Sequence, residues 1–215
     1  MNIKYLSIIS SIAGILILYT LSLYAQIPII PLSAISEYEG QTITTNGTVT
    51  EYHSTSYGNQ LITIKQGNNT AILFLESSID IQKGDRLNAT GLVQQYKDEW
   101  ELIIEKQELV TIEQSWENNT LTLQEIAEKP INYLNQNLNV TGYIDIIYDE
   151  YFQLIDDTYQ HQCIVEKPYI KNLTLHTGQH INLNAYFTYD NNQMRYLFKF
   201  TNENHTIIPI MENKT

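Results

Sequence analysis

Side chains that could carry out catalysis or bind a metal are scattered along this sequence and match no known motif. His176 and His180 are four residues apart, but the intervening Thr-Gly-Gln segment predicts a turn, so the two imidazoles would not share a helix face. His161 and Cys163 lie on one side of a predicted strand, and we expect Cys163 to be a buried apolar residue. Because GxSxG, HExxH and a glycine-rich phosphate loop are all missing, we expect no enzyme activity, no metal site and no cofactor.

Asparagine side chains offer a different chemistry, because N-glycosylation requires Asn-x-Ser/Thr with x other than Pro. The chain has 20 Asn, and Ser plus Thr make up 32 of its 215 residues, so chance gives about three such sequons. The eight glycosylation candidates are Asn46, Asn68, Asn88, Asn118, Asn139, Asn172, Asn204 and Asn213. This excess predicts an exported glycoprotein that carries the sequons on its surface. An Asn- and Thr-rich composition without glycosylation is the alternative.

The charge balance is acidic along the whole chain. Lys and Arg number 12 against 24 Asp and Glu, which gives a formal net charge of −12. Residues 37–112 carry 11 acids and 5 bases, and residues 113–215 carry 13 acids and 6 bases, so both parts are negative. A nucleic-acid binder usually presents a positive field, because phosphate neutralisation supplies much of its affinity. The charge therefore disfavours nucleic acid, and the single cysteine excludes an intramolecular disulfide.

The amino-terminal segment predicts a membrane anchor. No charged residue lies between Lys4 and Glu37, and the 21 residues 5–25 would span about 31 Å as a helix, close to the thickness of a bilayer core. We therefore expect a single-pass transmembrane signal-anchor at residues 1–26 and a tether at residues 27–36. The remainder would lie outside the cytoplasm at the cell membrane. A cleaved signal peptide and a buried helix are the alternatives.

Alternating polar and apolar runs of strand length follow, which predicts a mainly β-structure. In the first run, Ile43, Gly47 and Val49 share one face and Asn46 and Thr48 the other. The strands predicted for this first unit are 41–51, 61–65, 70–75, 85–96 and 100–105, with turns at Gly67-Asn68-Asn69 and Lys97-Asp98.

The pattern then recurs, which predicts a duplicated domain rather than a solenoid. Gly47 corresponds to Gly142, at an offset of 95 residues. Between the two units, residues 119–128 predict a short helix, with Thr122 as N-cap and Glu125 completing a capping box. The strands predicted for the second unit are 137–148, 151–155, 162–166, 180–188 and 194–201.

These motifs resemble the OB-fold of the tRNA-anticodon and single-strand-binding type. The motifs that carry the resemblance are Gly47-Thr48-Val49, Lys83-Gly84-Asp85-Arg86-Leu87, Gly91-Leu92-Val93 and Glu101-Leu102-Ile103. The second unit matches more loosely, because Ala185 replaces the glycine of the fourth strand. The resemblance implies two OB-like five-stranded barrels, at residues 37–112 and 123–215, joined by a linker at 113–122. An unclosed β-sandwich is the competing fold. An anchor followed by tandem OB-folds is similar to membrane-attached proteins of archaea.

The resemblance also implies where a ligand would bind. An OB-fold binds across its second and third strands and through the loops that join strands one to two and four to five. In the first unit these positions hold Tyr52, His53, Tyr57, Lys65, Tyr96, Lys97 and Trp100. In the second unit they hold Tyr148, Tyr151, Phe152, Tyr189 and Arg195. Aromatic rings interleaved with cations are suited to stacking on single-stranded nucleic acid.

Fold and charge thus indicate different partners. The leading hypothesis is a non-enzymatic, membrane-anchored binding or scaffold module outside the cytoplasm, which recognises a protein, glycan or peptide through an OB-fold face. The alternative is an OB-fold protein that binds single-stranded nucleic acid at the membrane, in spite of its negative charge.

Overall fold

The computed structural model describes residues 3–24, 27–168 and 174–210. Its first element is the helix α1 (Ile3–Tyr24). Within the described ranges, no helix combines the length and the hydropathy that crossing a membrane requires. The transmembrane anchor predicted at residues 1–26 is therefore not confirmed.

The first barrel closes in the manner that the OB-fold resemblance implies. Its strands are β1 (Thr42–Ser54), β2 (Gln60–Gln66), β3 (Asn69–Leu75), β4 (Arg86–Tyr96), β5 (Glu99–Ile104) and β6 (Val110–Gln114). They pair in the order β1-β2-β3-β5-β4, and β4 returns to β1 to close the ring, while β6 extends the sheet along β4. Within the ring only the β3–β5 pair is parallel. This arrangement is a Greek-key barrel of the OB type, and all five predicted strands are confirmed to within a few residues.

The second barrel repeats this topology. Its strands are β7 (Thr120–Leu121), β8 (Gln136–Ile147), β9 (Tyr151–Ile155), β10 (Gln162–Glu166), β11 (His180–Asp190), β12 (Arg195–Lys199) and β13 (Thr206–Pro209). The ring runs β8-β9-β10-β12-β11 and back to β8, with β7 and β13 at its edges. Because this ring is closed, the competing prediction of an unclosed sandwich is wrong for both units.

A central glycine lets the first long strand of each barrel bend. A Cβ added at Gly47 or Gly142 would lie within 3.0 Å of atoms in the neighbouring strand, so a larger residue would separate the two strands. The pairing register shifts shortly afterwards, beyond Val49 in β1 and beyond Ile144 in β8. Such bulges sharpen the bend that barrel closure requires.

Each barrel encloses its own core. In the first barrel the buried side chains are aliphatic, and those of β1 alternate strictly with outward-facing residues from Ile43 to Val49. In the second barrel Phe152, Phe187 and Phe198 fill the centre, and the last two rings lie 5.1 Å apart. Burial of each such ring stabilises the fold by about 1.5–3 kcal/mol.

Two short helices connect the barrels, α2 (Leu123–Glu128) and α3 (Pro130–Tyr133). The predicted capping box is confirmed. The Glu125 N–H donates to Thr122 Oγ1 at 3.2 Å, and the Thr122 N–H donates to the Glu125 carboxylate at 2.7 Å. The observed α2 starts after the cap, which makes it shorter than the predicted helix.

Residues 27–36, for which the sequence predicted a tether, pack on the first barrel. The Ile30 N–H donates to the Thr44 carbonyl at 2.8 Å, which adds the segment to the side of β1. A 3₁₀ helix (Leu32–Tyr38) follows and buries Ile35 against the barrel core. Ile30, Leu32 and Ile35 are buried because burial removes their apolar side chains from water, whereas Ile27 and Ile29 stay exposed.

The two barrels meet at a closely packed junction around Gly84. This residue has a φ of +100°, and a Cβ added to it would overlap the Asn137 carbonyl oxygen and lie 2.9 Å from Trp116 Cβ. Trp116 begins a short 3₁₀ helix inside the predicted linker 113–122, and its N–H donates to Asp85 Oδ1 at 3.1 Å. The linker region is therefore part of the contact between the barrels.

His205 completes the junction on the far side of Trp116. It is 4% exposed, and its ring lies 6.0 Å from the Trp116 ring in a T-shaped contact. Nδ1 accepts from the Thr201 N–H at 2.9 Å, so the ring proton lies on Nε2, which donates to Asn137 Oδ1 at 3.1 Å. Burial lowers the pKa of His205 to about 4, so the imidazole is neutral at neutral pH.

Candidate ligand-binding face

The β8–β9 hairpin brings two tyrosines of the predicted site together. Only Asp149 and Glu150 separate Tyr148 from Tyr151, and the Tyr148 N–H donates to the Tyr151 carbonyl at 2.9 Å. Residues that face each other across so short a turn project from the same side of the hairpin. Their rings stack with centres 4.5 Å apart and planes inclined by 27°, and Tyr148 remains 40% exposed.

Arg195 adds a cation to this pair. It follows the β11–β12 loop, whose shape is fixed by Asp190, since the Oδ1 of Asp190 accepts from the N–H groups of Asn192 and Gln193 at 2.8 and 3.3 Å. The Arg195 guanidinium lies 5.1 Å from the centre of the Tyr151 ring. We call Tyr148, Tyr151 and Arg195 the Tyr–Arg stack.

The Arg195 guanidinium has a hydrogen-bond donor that is not paired within the described residues. Its Nε is buried and has no hydrogen-bond acceptor among the residues that the structure describes. Arg195 also forms no ion pair with any residue that the structure describes. By contrast, Lys199 on the same strand lies 3.8 Å from the Glu166 carboxylate. A ligand oxygen near Nε would supply the missing acceptor.

Two further predicted residues of the second barrel lie outside the stack. Tyr189 contacts Tyr196, with ring centres 5.0 Å apart. Phe152 is fully buried in the barrel core, so its prediction as a ligand-binding residue is wrong. The physical reason is strand geometry: Phe152 follows Tyr151 directly on β9, and successive side chains of a strand point to opposite faces.

The first barrel does not gather its predicted residues into one platform. Lys97 Nζ lies 5.2 Å from the centre of the Tyr96 ring, and Trp100 is half-buried against the core. Lys65 Nζ donates to the Ile131 carbonyl at 3.0 Å, so this lysine faces the second barrel. The exposed members of the predicted set are Tyr52, His53, Tyr57, Tyr96 and Lys97. Within the described ranges, no ring of the first-barrel set contacts another aromatic ring.

Sequence reasoning missed an apolar surface on the first barrel. Phe74 on β3 pairs with Leu61 on β2 and with Ile103 on β5, and Ile103 pairs with Leu92 on β4. These side chains point away from the core, and Leu92 is 42% exposed. We call Leu61, Ile72, Phe74, Leu92 and Ile103 the outer apolar face. The signal for it was the uninterrupted apolar run at residues 71–75 of β3, in which both faces of the strand are hydrophobic.

The structure separates the sequons by exposure. Asn68, Asn118 and Asn204 are exposed, and Asn46 and Asn88 are half-buried. Asn172 and Asn213 lie outside the described residues.

Asn139 differs from these, because it is only 6% exposed. Its Nδ2 donates to the Glu117 carbonyl, and its Oδ1 accepts from Asn182 Nδ2 at 2.6 Å. The glycosylation candidate Asn139 is therefore a correction: the linker covers the strand face that the sequence assigned to solvent, which leaves no room for a glycan.

Cys163 and His161, which the sequence placed on one side of a strand, each have a structural role. Burial raises the pKa of Cys163 to about 12, which keeps this thiol protonated and unreactive. His161 Nδ1 lies 2.8 Å from Asp156 Oδ2 at the start of the β9–β10 loop. In the described part of the chain, no three His, Cys, Asp or Glu residues are grouped so as to hold a metal ion.

Comparisons with known proteins return similarities of shape. No protein-family model and no curated protein matches the chain. A murine DNA-binding protein bound to double-stranded DNA is 12% identical, and the match covers 81% of this chain and 98% of that one with a TM-score of 0.35. The telomere capping protein Ten1 from Saccharomyces pombe is 16% identical, covering 40% of this chain and 81% of that one with a TM-score of 0.30.

A further match is an aspartyl-tRNA synthetase from Leishmania major Friedlin. It is 15% identical over 48% of this chain, with a TM-score of 0.37. The chain spans only 24% of the length of that synthetase. Identities and TM-scores are low in all three matches, which are similarities of fold alone.

Proposed function

We propose that the chain is a binding protein rather than an enzyme, and that its second barrel binds single-stranded nucleic acid on the Tyr–Arg stack. The observation that carries this proposal is the stack itself. Tyr148 offers an exposed ring on which a base can lie, and Arg195 has a buried Nε–H without an acceptor. Both residues flank the loops through which OB-folds bind oligonucleotides. Stacking on aromatic rings serves any base, because every base has a π-face.

The negative charge of the chain determines which interactions would supply the affinity for nucleic acid. Asp149 and Glu150 lie in the turn between the two tyrosines, and the whole chain carries a net charge of −12. A single-stranded nucleic acid bound on this face would have few of its phosphates neutralised by cations, and Arg195 would be the main cation that does so. Affinity would come mainly from stacking, so the slope of log K against log salt should be shallow, about −1 or less steep.

The test is binding of a fluorescein-labelled oligo-dT to the full chain, followed by anisotropy between about 50 and 200 mM salt. We expect Tyr148→Ala to weaken binding by about 5- to 150-fold, which corresponds to one lost stacking contact of about 1–3 kcal/mol. Tyr148→Phe should bind like the unmodified chain, because the ring is kept. Tyr159→Ala is the matched control, since Tyr159 is exposed in the β9–β10 loop away from the stack.

Two outcomes would reject the proposal. One is binding that is unchanged in Tyr148→Ala. The other is a salt slope of about −4 or steeper, which would mean that a cluster of cations elsewhere on the chain makes the contact.

A second candidate function is docking of a protein through the outer apolar face of the first barrel. The observation that favours it is the unbroken apolar pairing of Phe74 with residues on both neighbouring strands. Apolar contacts of this kind form the centre of protein interfaces. A photo-crosslinking residue at position 74 should capture a defined partner in the native host, whereas the same residue at exposed position 57 should not. Equal capture at both positions would reject this function.

The extracytoplasmic location and the membrane attachment stay predictions. External protease added to intact cells would degrade the barrels if they lie outside the cytoplasm and leave them intact if they lie inside.

A further inference from the structure

A cavity of about 310 Å³ lies between the two barrels. Its first wall comes from the middle of β1, the end of β2 and the turn at Gly84. Its second wall comes from α3, the start of β8 and the 3₁₀ helix that begins at Trp116. This volume falls at the lower end of the range of small-molecule sites, which often lie between domains. The cavity is separate from the Tyr–Arg stack, which faces the loops of the second barrel.

The side chains of the cavity wall differ sharply from the rest of the protein. The chain has twice as many acids as bases, 24 against 12, yet among the described residues no Asp or Glu lines the cavity. Its charged residues are Lys65 and Arg86. Side-chain amides make up much of the remaining wall: Asn46, Gln66, Gln114, Asn119, Asn132, Gln136 and Asn137. The wall itself holds two cations, amides and no carboxylate, and Glu113, which pairs with Arg86, lies outside it. Such a wall attracts an anion that also carries hydroxyl groups.

Several wall groups keep hydrogen-bonding capacity for such a ligand. Lys65 Nζ donates one hydrogen bond, to the Ile131 carbonyl, and an ammonium has three donors. Gln136 is 4% exposed, and its Nε2 donates to the Asn132 carbonyl at 3.0 Å. The Gln136 Oε1 accepts no hydrogen bond within the described ranges. An acceptor and a cation with spare donors that line the same cavity match a ligand with both a hydroxyl group and a negative charge.

Asn46 adds a donor on the first wall, which also carries Lys65. Its Oδ1 accepts from Gln66 Nε2 at 2.7 Å, which fixes the amide and leaves Nδ2 as the group available to a ligand. Arg86 donates from Nε to Glu113 at 2.9 Å and from Nη2 to Asn46 Oδ1 at 3.5 Å, which leaves three of its five N–H donors for an anion.

From these contacts we propose that the inter-barrel cavity binds a small hydroxyl-rich anion, of the class of sugar acids and sugar phosphates. The hydroxyl groups exchange hydrogen bonds with the amides, and the carboxylate or phosphate lies between Lys65 and Arg86. The proposal does not depend on nucleic-acid binding by the second barrel.

The chain contains two tryptophans, and they report separately on this cavity and on the rest of the molecule. Trp116 lines the cavity, whereas Trp100 packs against the core of the first barrel outside it. The indole N–H signals of the ¹⁵N-labelled full chain, made in a host that does not glycosylate Asn46, are followed by NMR. The probes are glucuronate, glucose 6-phosphate, glucose and inorganic phosphate, each titrated alone.

We expect glucuronate, glucose 6-phosphate or both to shift the Trp116 signal in a saturable way while the Trp100 signal stays in place. The comparison of these two probes tells whether the site takes a carboxylate or a phosphate. Glucose and inorganic phosphate should bind at least about tenfold more weakly, because each lacks one half of the recognised chemistry. Lys65→Met should weaken binding by at least about tenfold. The control Lys106→Met removes the same charge at an exposed site outside the cavity and should bind as the unmodified chain does.

The proposal is overturned if neither sugar anion shifts Trp116, or if both indole signals move together. It is also overturned if inorganic phosphate alone binds as tightly as glucose 6-phosphate and glucuronate does not bind, since the site would then recognise only charge. If Lys65→Met fails to fold, Asn46→Asp replaces it: a carboxylate in the wall should abolish binding of either anion, and unchanged binding would refute the cavity as the site.

Discussion

Acidification should destabilise this protein through His205. The folded state holds the imidazole neutral with a pKa of about 4, against 6.5 for an unperturbed histidine. The unfolded chain therefore binds a proton at a pH where the folded chain does not. The stability contributed by this group is present above pH 6.5 and is lost as the pH falls from about 6.5 towards 4.

The size of the effect follows from the two pKa values. Between about pH 7 and pH 5, linkage lowers the free energy of unfolding by about 2 kcal/mol, and the full loss approaches about 3.4 kcal/mol below pH 4. The structure gives the reason: the groups around the ring are Trp116, Phe200, Thr201 and Asn137, which carry no charge to stabilise an imidazolium. Protonation at Nδ1 would also place its new N–H against the Thr201 N–H.

The assay is urea unfolding of the unmodified chain, of His205→Gln and of His53→Gln at several pH values between about 7 and 5. Carboxylates titrate in all three proteins, so the difference in slope isolates the histidine. His205→Gln should be less stable at neutral pH, because it loses well-placed hydrogen bonds, but its stability should fall less on acidification. His53 is exposed and serves as the control, whose removal should leave the slope unchanged. Equal pH dependence of the unmodified chain and His205→Gln would refute the reasoning.

Three further substitutions test the packing, each by urea unfolding. Gly84→Ala should lower the free energy of unfolding by at least about 3 kcal/mol, because the new Cβ meets the facing barrel and φ is positive. The control Gly40→Ala also has a positive φ but open space around the new Cβ, so it should lower the free energy of unfolding by about 1 kcal/mol. Asn139→Ala should cost about 1–3 kcal/mol by leaving buried polar partners unsatisfied, while the exposed Asn118→Ala should change stability by less than about 0.5 kcal/mol. In a glycosylating host, peptide mapping should find no glycan on Asn139. Phe152→Ala should cost about 3–5 kcal/mol, and a loss below about 1 kcal/mol would contradict its place in the core.

Local signals in the sequence were enough to predict the strands and their turns. The Lys97-Asp98 turn is an example: both residues adopt positive φ, 49° and 67°, in the tight connection between β4 and β5. The repeated glycines Gly47 and Gly142 likewise indicated where the first strand of each barrel bends. The approach of Tyr148 to Tyr151 follows from a turn of two residues. In each case the determining residues are neighbours in the chain.

Features that depend on distant contacts could not be predicted in this way. Asn139 lies on the polar side of its strand by alternation, yet β7 and the 3₁₀ helix before it cover that side. The junction between Gly84 and Asn137 joins residues more than fifty positions apart, and no local pattern marks their contact. The cavity between the barrels exists because of this junction, so the sequence could not predict it either. One signal was available and overlooked: Trp116 is a large apolar residue in a segment assigned as a linker, and such a residue is usually buried.

The close fit at Gly84 also means that the corresponding turns of the two barrels are under different constraints. Gly178 is the counterpart of Gly84 in the second barrel, and it too has a positive φ, but a Cβ there would meet nothing within 4 Å. Asparagine, which tolerates a left-handed backbone, could replace Gly178 at little cost and could not replace Gly84. In the second barrel the glycine is required by the backbone conformation alone, whereas in the first barrel it is also required by the fit between the two barrels. Divergent sequences of this architecture should therefore vary at the second turn and keep glycine at the first.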